Sequence, residues 1–323
     1  MQSTAYPLSQ ESGAAWLATV PVPVFGAALG LTGLSVLAQI HPRLVLFPAL
    51  AHGNLLLGVA ALAASVVLHL LRLVRHRAAF KRDLQNAAIA PFFGQPGIAL
   101  LLLAEALHGS AHALAGFAFY AASLSIVAAS LWWIYRMTAA RLALASVSPS
   151  WLVPPIGCWY IAVLAPGFQL AWLAFPALLC GALAAVFSIF MLALRLSKGP
   201  ALPGPARPAL AIFFALPALI LLWATAQAQE AAWLARCLYW LNAANYVAGA
   251  LIFCLLLRRR FVISWWAFGM PLSATSIALT LAGTAHFSQA SMLADATAAS
   301  SIAITAILSV SGMAAAWRHM KQA

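Results

Sequence analysis

Acid is what this sequence most lacks. Asp and Glu together number five in 323 residues, and all charged types make up only 7%. Soluble domains carry roughly 25% charge. A chain that is 65% hydrophobic and so poor in charge cannot keep a water-facing surface wet. A large soluble fold is excluded, and a bilayer is implied, because a lipid-facing belt needs no charge. Cysteine is scarce too. Cys158, Cys180, Cys237 and Cys254 all fall inside apolar runs, and no CxxC occurs. They read as small hydrophobes, with neither disulfide nor metal site expected. No Walker loop, HExxH or nucleophile constellation is found, so no enzyme activity and no cofactor is expected.

What the sequence has in abundance is long apolar runs. A spanning helix needs about 20 mainly apolar residues. Ten runs meet that length: 22–41, 49–74, 88–107, 111–136, 150–169, 171–194, 207–227, 231–257, 262–284 and 292–317. They fill nearly the whole chain and leave no long linker, so residues 1–323 read as a single transmembrane domain. Helices are expected because each run can satisfy its own backbone hydrogen bonds. The runs are too long and too evenly apolar for the strands of a membrane barrel. Met1 to Val20 lacks a basic n-region, so the first helix is expected to be a retained span.

The formal net charge of +12 invites a nucleic-acid reading, but placement argues for topology and against a nucleic-acid partner. The basic residues follow even-numbered spans: Arg72, Arg75, Arg77, Lys81 and Arg82; Arg136 and Arg141; Arg195, Lys198 and Arg207; Arg258, Arg259 and Arg260; Arg318 and Lys321. Only Arg43 and Arg236 lie elsewhere. Adding or removing one span would split the clusters between two sides. The positive-inside rule then predicts both termini in the cytoplasm of a multi-pass protein of the cell (inner) membrane.

Proline marks the odd spans. Pro21 and Pro23 open the first, Pro96 lies in the third, Pro154 and Pro155 open the fifth, Pro217 lies in the seventh and Pro271 in the ninth; Pro176 is the one internal proline of an even span. Proline removes a backbone donor and kinks a helix, and in lipid the freed carbonyl needs a protein or water partner. The pattern predicts five helical hairpins, with odd helices inside and even helices outside.

Five acids can be placed: Glu11, Asp83, Glu105, Glu230 and Asp295. Only Glu105 falls well inside a span, where an ionisable residue marks a functional site by default. It could relay a proton or line a mouth; it could also be a structural partner for His108, His112 or Arg236. The histidines lack the paired, depth-matched arrangement that haem ligation requires. The segment Ser264-Trp265-Trp266-Ala267-Phe268-Gly269-Met270-Pro271 opens the ninth span, and its residues beside the proline are expected to face the bundle interior.

Three segments carry a family resemblance: Val24-Phe25-Gly26-Ala27-Ala28-Leu29-Gly30-Leu31, Pro149-Ser150-Trp151-Leu152-Val153-Pro154-Pro155-Ile156-Gly157, and Trp265-Trp266-Ala267-Phe268-Gly269-Met270-Pro271-Leu272. In this order they resemble the family of the bacterial tellurite-resistance protein TehA, C4-dicarboxylate transporters and the slow-type anion channel. The resemblance implies an all-α polytopic membrane protein of about ten transmembrane helices, built as five hairpins around a central pore in each subunit. It implies a homotrimer in membrane lipid that passes small anions. Odd helices would line the pore, here with Phe25, Gly26, Gly30, Pro96, Pro155, Pro217 and Pro271. The gate would sit in the ninth span, at Met270 where relatives carry an aromatic, with Phe268 beside it. The family holds both channels and coupled carriers, so an anion channel and a proton-coupled dicarboxylate or organic-anion transporter using Glu105 both remain open. A membrane scaffold or redox subunit is a third reading.

Overall fold

The computed structural model describes residues 15–139, 143–226, 232–286 and 291–322. Glu11, Arg141 and Glu230 lie outside them, as do the side chains of Arg318 and Lys321. Among the described residues, ten helical stretches are long and apolar enough to cross a membrane, from Val22–Ile40 to Met292–Ala316. They match the ten runs of the sequence to within a few residues, and the protein is an all-α polytopic membrane protein. The helices are α1 (Gly26–Ile40), α2 (Pro48–Arg75), α3 (Arg77–Gln85), α4 (Gln95–Leu107), α5 (His112–Ala139), α6 (Val153–Leu164), α7 (Ala171–Lys198), α8 (Ala215–Ala226), α9 (Ala232–Leu256), α10 (Gly269–His286) and α11 (Ser291–Gln322). The short α3, in the basic stretch after the second span, has no counterpart among the ten apolar runs.

Burial separates the spans into two sets. Over an 18-residue apolar stretch of each span, 56% to 83% of residues are buried in the odd spans and 22% to 33% in the even ones. The inner helices form a closed ring in the order α1, α4, α6, α8, α10 and back to α1. Each outer helix packs on the inner helix of its own hairpin: α2 on α1, α5 on α4, α7 on α6, α9 on α8 and α11 on α10. The outward faces of the outer helices are apolar, as Leu56, Phe117, Phe175, Leu251 and Val310 illustrate.

The inner spans are broken helices. Each enters as a 3-10 stretch (Val22–Phe25, Ala90–Gly94, Pro149–Leu152, Gly204–Phe214, Ile263–Phe268) and then turns α-helical. Pro96, Pro155, Pro217 and Pro271 all stand in the first turn of the α-helical part. There the missing N–H deprives the helix of no bond. The break is thus a change of helix type just before each proline, rather than a bend within one continuous helix. The carbonyls it loosens are met by neighbours. The carbonyl of Phe214, where the 3-10 stretch before α8 ends, accepts from Asn245 Nδ2 of α9 at 3.1 Å and Thr275 Oγ1 of α10 at 3.3 Å. The carbonyl of Pro217 accepts from Asn242 Nδ2 at 2.9 Å.

The first three outer helices share an inward-facing pattern, buried throughout except for the half-buried Arg136: Gly58, Leu62, His69 and Arg72 in α2; Ala122, Ile126, Trp133 and Arg136 in α5; Gly181, Ala185, Leu192 and Arg195 in α7. The spacing is the same in all three, and each pattern ends on an arginine that clasps a linker. Arg72, fully buried, pairs with Asp83 of α3 at 2.6 Å. Arg136 donates to the carbonyl of Gln85 at 2.7 Å. Arg195, also buried, donates to the carbonyls of Val147 and Pro200. Trp132, Ser150 and Trp151 donate to the carbonyls of Leu84, Ala88 and Ala87. Part of the positive charge on this face is therefore structural.

On the opposite face Asp295 of α11 meets Arg43 at 3.0 Å and His41 at 3.6 Å. This pair joins the first hairpin to the last and gives Arg43, one of the two cations off the basic face, its partner.

Removing one member of a buried ion pair costs about 3–5 kcal/mol. Asp83→Asn should therefore lower the thermal unfolding midpoint in detergent clearly, because Arg72 is left buried without its carboxylate. An unchanged midpoint would show that the pair contributes no stability.

Candidate functional site in the inner ring

The site begins where α1 crosses α10. A Cβ on Gly30 would stand 3.1 Å from the Trp266 ring and 3.4 Å from the Cα of Gly269; one on Gly26 would stand 2.9 Å from the Cβ of Trp266. A Cβ on Gly269 would in turn meet the Cα of Gly30 at 3.1 Å. Two backbones approach this closely only where side chains are absent, the usual way membrane helices gain contact. Trp266 fills the space beside the crossing, and Gly312 of α11 lies on its indole nitrogen side.

The crossing fixes the rotation of α10, and with it two distinct faces. Met270, Ala274, Ile277 and Ala278 belong to the large apolar cluster to which all five inner helices contribute. Phe268 and Leu272 belong to a separate cluster toward α9 and α11, where the Phe268 ring meets Phe253 edge-on at 5.5 Å. Two residues along a helix turn by about 200°, so Met270 and Phe268 cannot share a face.

A cavity of about 390 Å³ opens at the ends of α4, α6, α8 and α10 away from the basic face. Glu105, Tyr160, Leu222, Thr225, Ile277 and Thr284 are among its lining. Ile277 and Leu281, which also lines it, follow Met270 at helical spacing on the same face. The stripe that starts at Met270 thus runs straight into the cavity. Of the sequence's candidates, Glu105 lines the cavity, and Met270 lies on the same face of α10 as the lining residues Ile277 and Leu281.

A family profile described as voltage-dependent anion channel (SLAC1) matches residues 19–316. The chain belongs to the SLAC1 family. This is a family of anion channels and C4-dicarboxylate transporters. A search of curated proteins returned no match.

The first and third segments that resemble the SLAC1 family turn out to be one contact, since Gly26 and Gly30 pack on Trp266 and Gly269. The second holds the linker before α4 through Ser150 and Trp151. The other predicted site residues distribute as follows. Phe25 turns its ring to His69 of α2, with centroids 4.9 Å apart. Pro96 lies nine residues before Glu105 on α4, about half a turn round from it. The carbonyl of Pro155 lies beside Gly181 of α7, and Pro217 stands at the α9 contact described above. Pro271 is buried next to Met270.

Among the described residues no ion pair joins Glu105 to His108, His112 or Arg236. His108 instead packs on Phe168 and His112, with ring centroids 4.8 and 5.0 Å away. The sequence reading passed over Gln95, which is buried at the start of α4 with its Oε1 unpartnered. It also passed over Tyr160, Thr225 and Thr284. The one available signal for them was polarity recurring at the same end of several odd spans as Glu105.

Gly30→Leu should loosen the α1–α10 crossing, with a stability loss of about 1–3 kcal/mol typical of overpacking. Thermal unfolding in detergent reads this. A variant as stable as the parent would show that the two helices do not meet through Gly30.

Proposed function

We propose that the chain is an anion channel whose path runs along the axis of the inner ring, from the basic face past Met270 to the cavity at Glu105. The observation that carries this is the shared face of Met270 and the cavity-lining Ile277 and Leu281 within a closed ring of five helices. On this reading Met270 closes the path. Methionine is unbranched and has three rotatable bonds, so it seals less firmly than an aromatic would. Phe268 lies behind it in the outer cluster and takes no part in the closure. The prolines act by starting the α-helical parts, and the glycines by bringing α1 against α10.

Anion preference has two supports. The five inner spans are the odd members of an alternating series, so their helix dipoles run in parallel with positive ends toward the basic face. That face also carries exposed Arg258, Arg259 and Arg260, whose field concentrates anions at the mouth. By the positive-inside rule this is the cytoplasmic face, with both termini on the cytoplasmic side of the cell (inner) membrane. A homotrimer would cover part of the apolar outer surface.

One observation favours a second reading. Glu105 stands in the cavity itself, where a carboxylate repels anions unless protonated. A proton-coupled carrier for dicarboxylates, or a tellurite-resistance role, would use it as the coupling group.

Anion flux into proteoliposomes tests both. Met270→Ala should raise flux several-fold, while Phe268→Ala leaves flux near wild type and costs about 3 kcal/mol of stability. No change in flux for Met270→Ala would contradict the gate. Flux that follows voltage and ignores a pH gradient, in wild type and in Glu105→Gln alike, is expected of the channel. Accumulation driven by the pH gradient and lost in Glu105→Gln would establish the carrier instead.

A further inference from the structure

The short helix α3 forms an open groove with the end of α2. Its volume is about 520 Å³, and its lining is Leu73, Arg77, Ala78, Phe80, Lys81 and Leu84. Leu73 lies at the end of the exposed apolar surface of α2, with Leu70, Leu71 and Val74. Arg77 and Lys81 are exposed and four residues apart on α3, hence neighbours on one helical face. Asp83, the acid of this helix, is turned away and held by Arg72 at 2.6 Å. The groove therefore passes from an apolar wall to a cationic rim without an acid in its lining.

We propose that this groove binds an anionic phospholipid, with an acyl chain along Leu73 and Phe80 and the phosphate between Arg77 and Lys81. The charge matches, and so does the order of apolar and cationic surface. Cations just outside a span attract acidic lipids by about 1 kcal/mol each. Exposed Arg75 and Arg82 flank the rim and add to the attraction. The groove is also firmly built, since Arg72 holds α3 from within and Trp132 and Arg136 of α5 hold its C-terminal end. The occupant lies one aromatic contact from the inner ring: Phe80 meets Phe93 edge-on at 5.3 Å, and Phe93 stands in the 3-10 entry to α4.

The test is native mass spectrometry of the purified full chain, titrated in detergent with dioleoyl phosphatidylglycerol or dioleoyl phosphatidylcholine. Phosphatidylglycerol should be retained preferentially. The double variant Arg77→Gln, Lys81→Gln should bind it about thirtyfold more weakly, the loss expected for two cations. Arg258→Gln, Arg259→Gln removes equal charge from the same face and should leave retention unchanged. Equal retention of the two lipids, or equal weakening in both double variants, would overturn the site. So would cross-linking of Lys81 to a second copy of the chain, which would make the groove a subunit contact. The readout is independent of anion flux, so it stands or falls apart from the channel reading.

Discussion

Hydrocarbon offers no hydrogen bonds, and this fold is arranged around that constraint. A backbone group left open in lipid costs several kcal/mol. The five odd spans change from 3-10 to α-helix part-way in, and such breaks are tolerable only where protein answers the loosened carbonyls. At Phe214 and Pro217 the answer comes from Asn245, Thr275 and Asn242, one inner and one outer helix supplying donors. Broken helices must therefore sit inside, and less interrupted ones outside. The burial difference between odd and even spans is the result.

The same economy holds the hairpins together at both faces. Arginines at equivalent positions of α2, α5 and α7 satisfy linker carbonyls or, in the case of Arg72, the carboxylate of Asp83. The opposite face closes through Asp295. Between them the glycine crossing of α1 on α10 sets the rotation of α10. That rotation puts Met270 on the ring side and Phe268 on the outer side. On the channel proposal, the glycines and Trp266 thus set which residue faces the ring.

Span number and the inner and outer sets were legible in the sequence because bilayer thickness sets run length, and because prolines and basic clusters each follow the hairpin period. The prolines, however, suggested bends within helices, since composition does not reveal that Pro96, Pro217 and Pro271 stand in first turns. Spacing alone also did not show that Gly26 and Gly30 face Trp266, because contact between distant segments depends on helix rotation. Met270 and Glu105 were singled out on chemical grounds. Their relation emerges only from the helix face that Met270 shares with Ile277 and from the cavity that Ile277 and Glu105 both line. The arginine repeat was hidden in uniformly apolar outer helices, and becomes visible once the buried positions are known.

The central claim is that anions cross through the inner ring. The most direct measurement is the reversal potential of purified protein in a planar bilayer under a chloride gradient. A reversal close to the chloride equilibrium potential is expected. A reversal at the potential of the accompanying cation would contradict it.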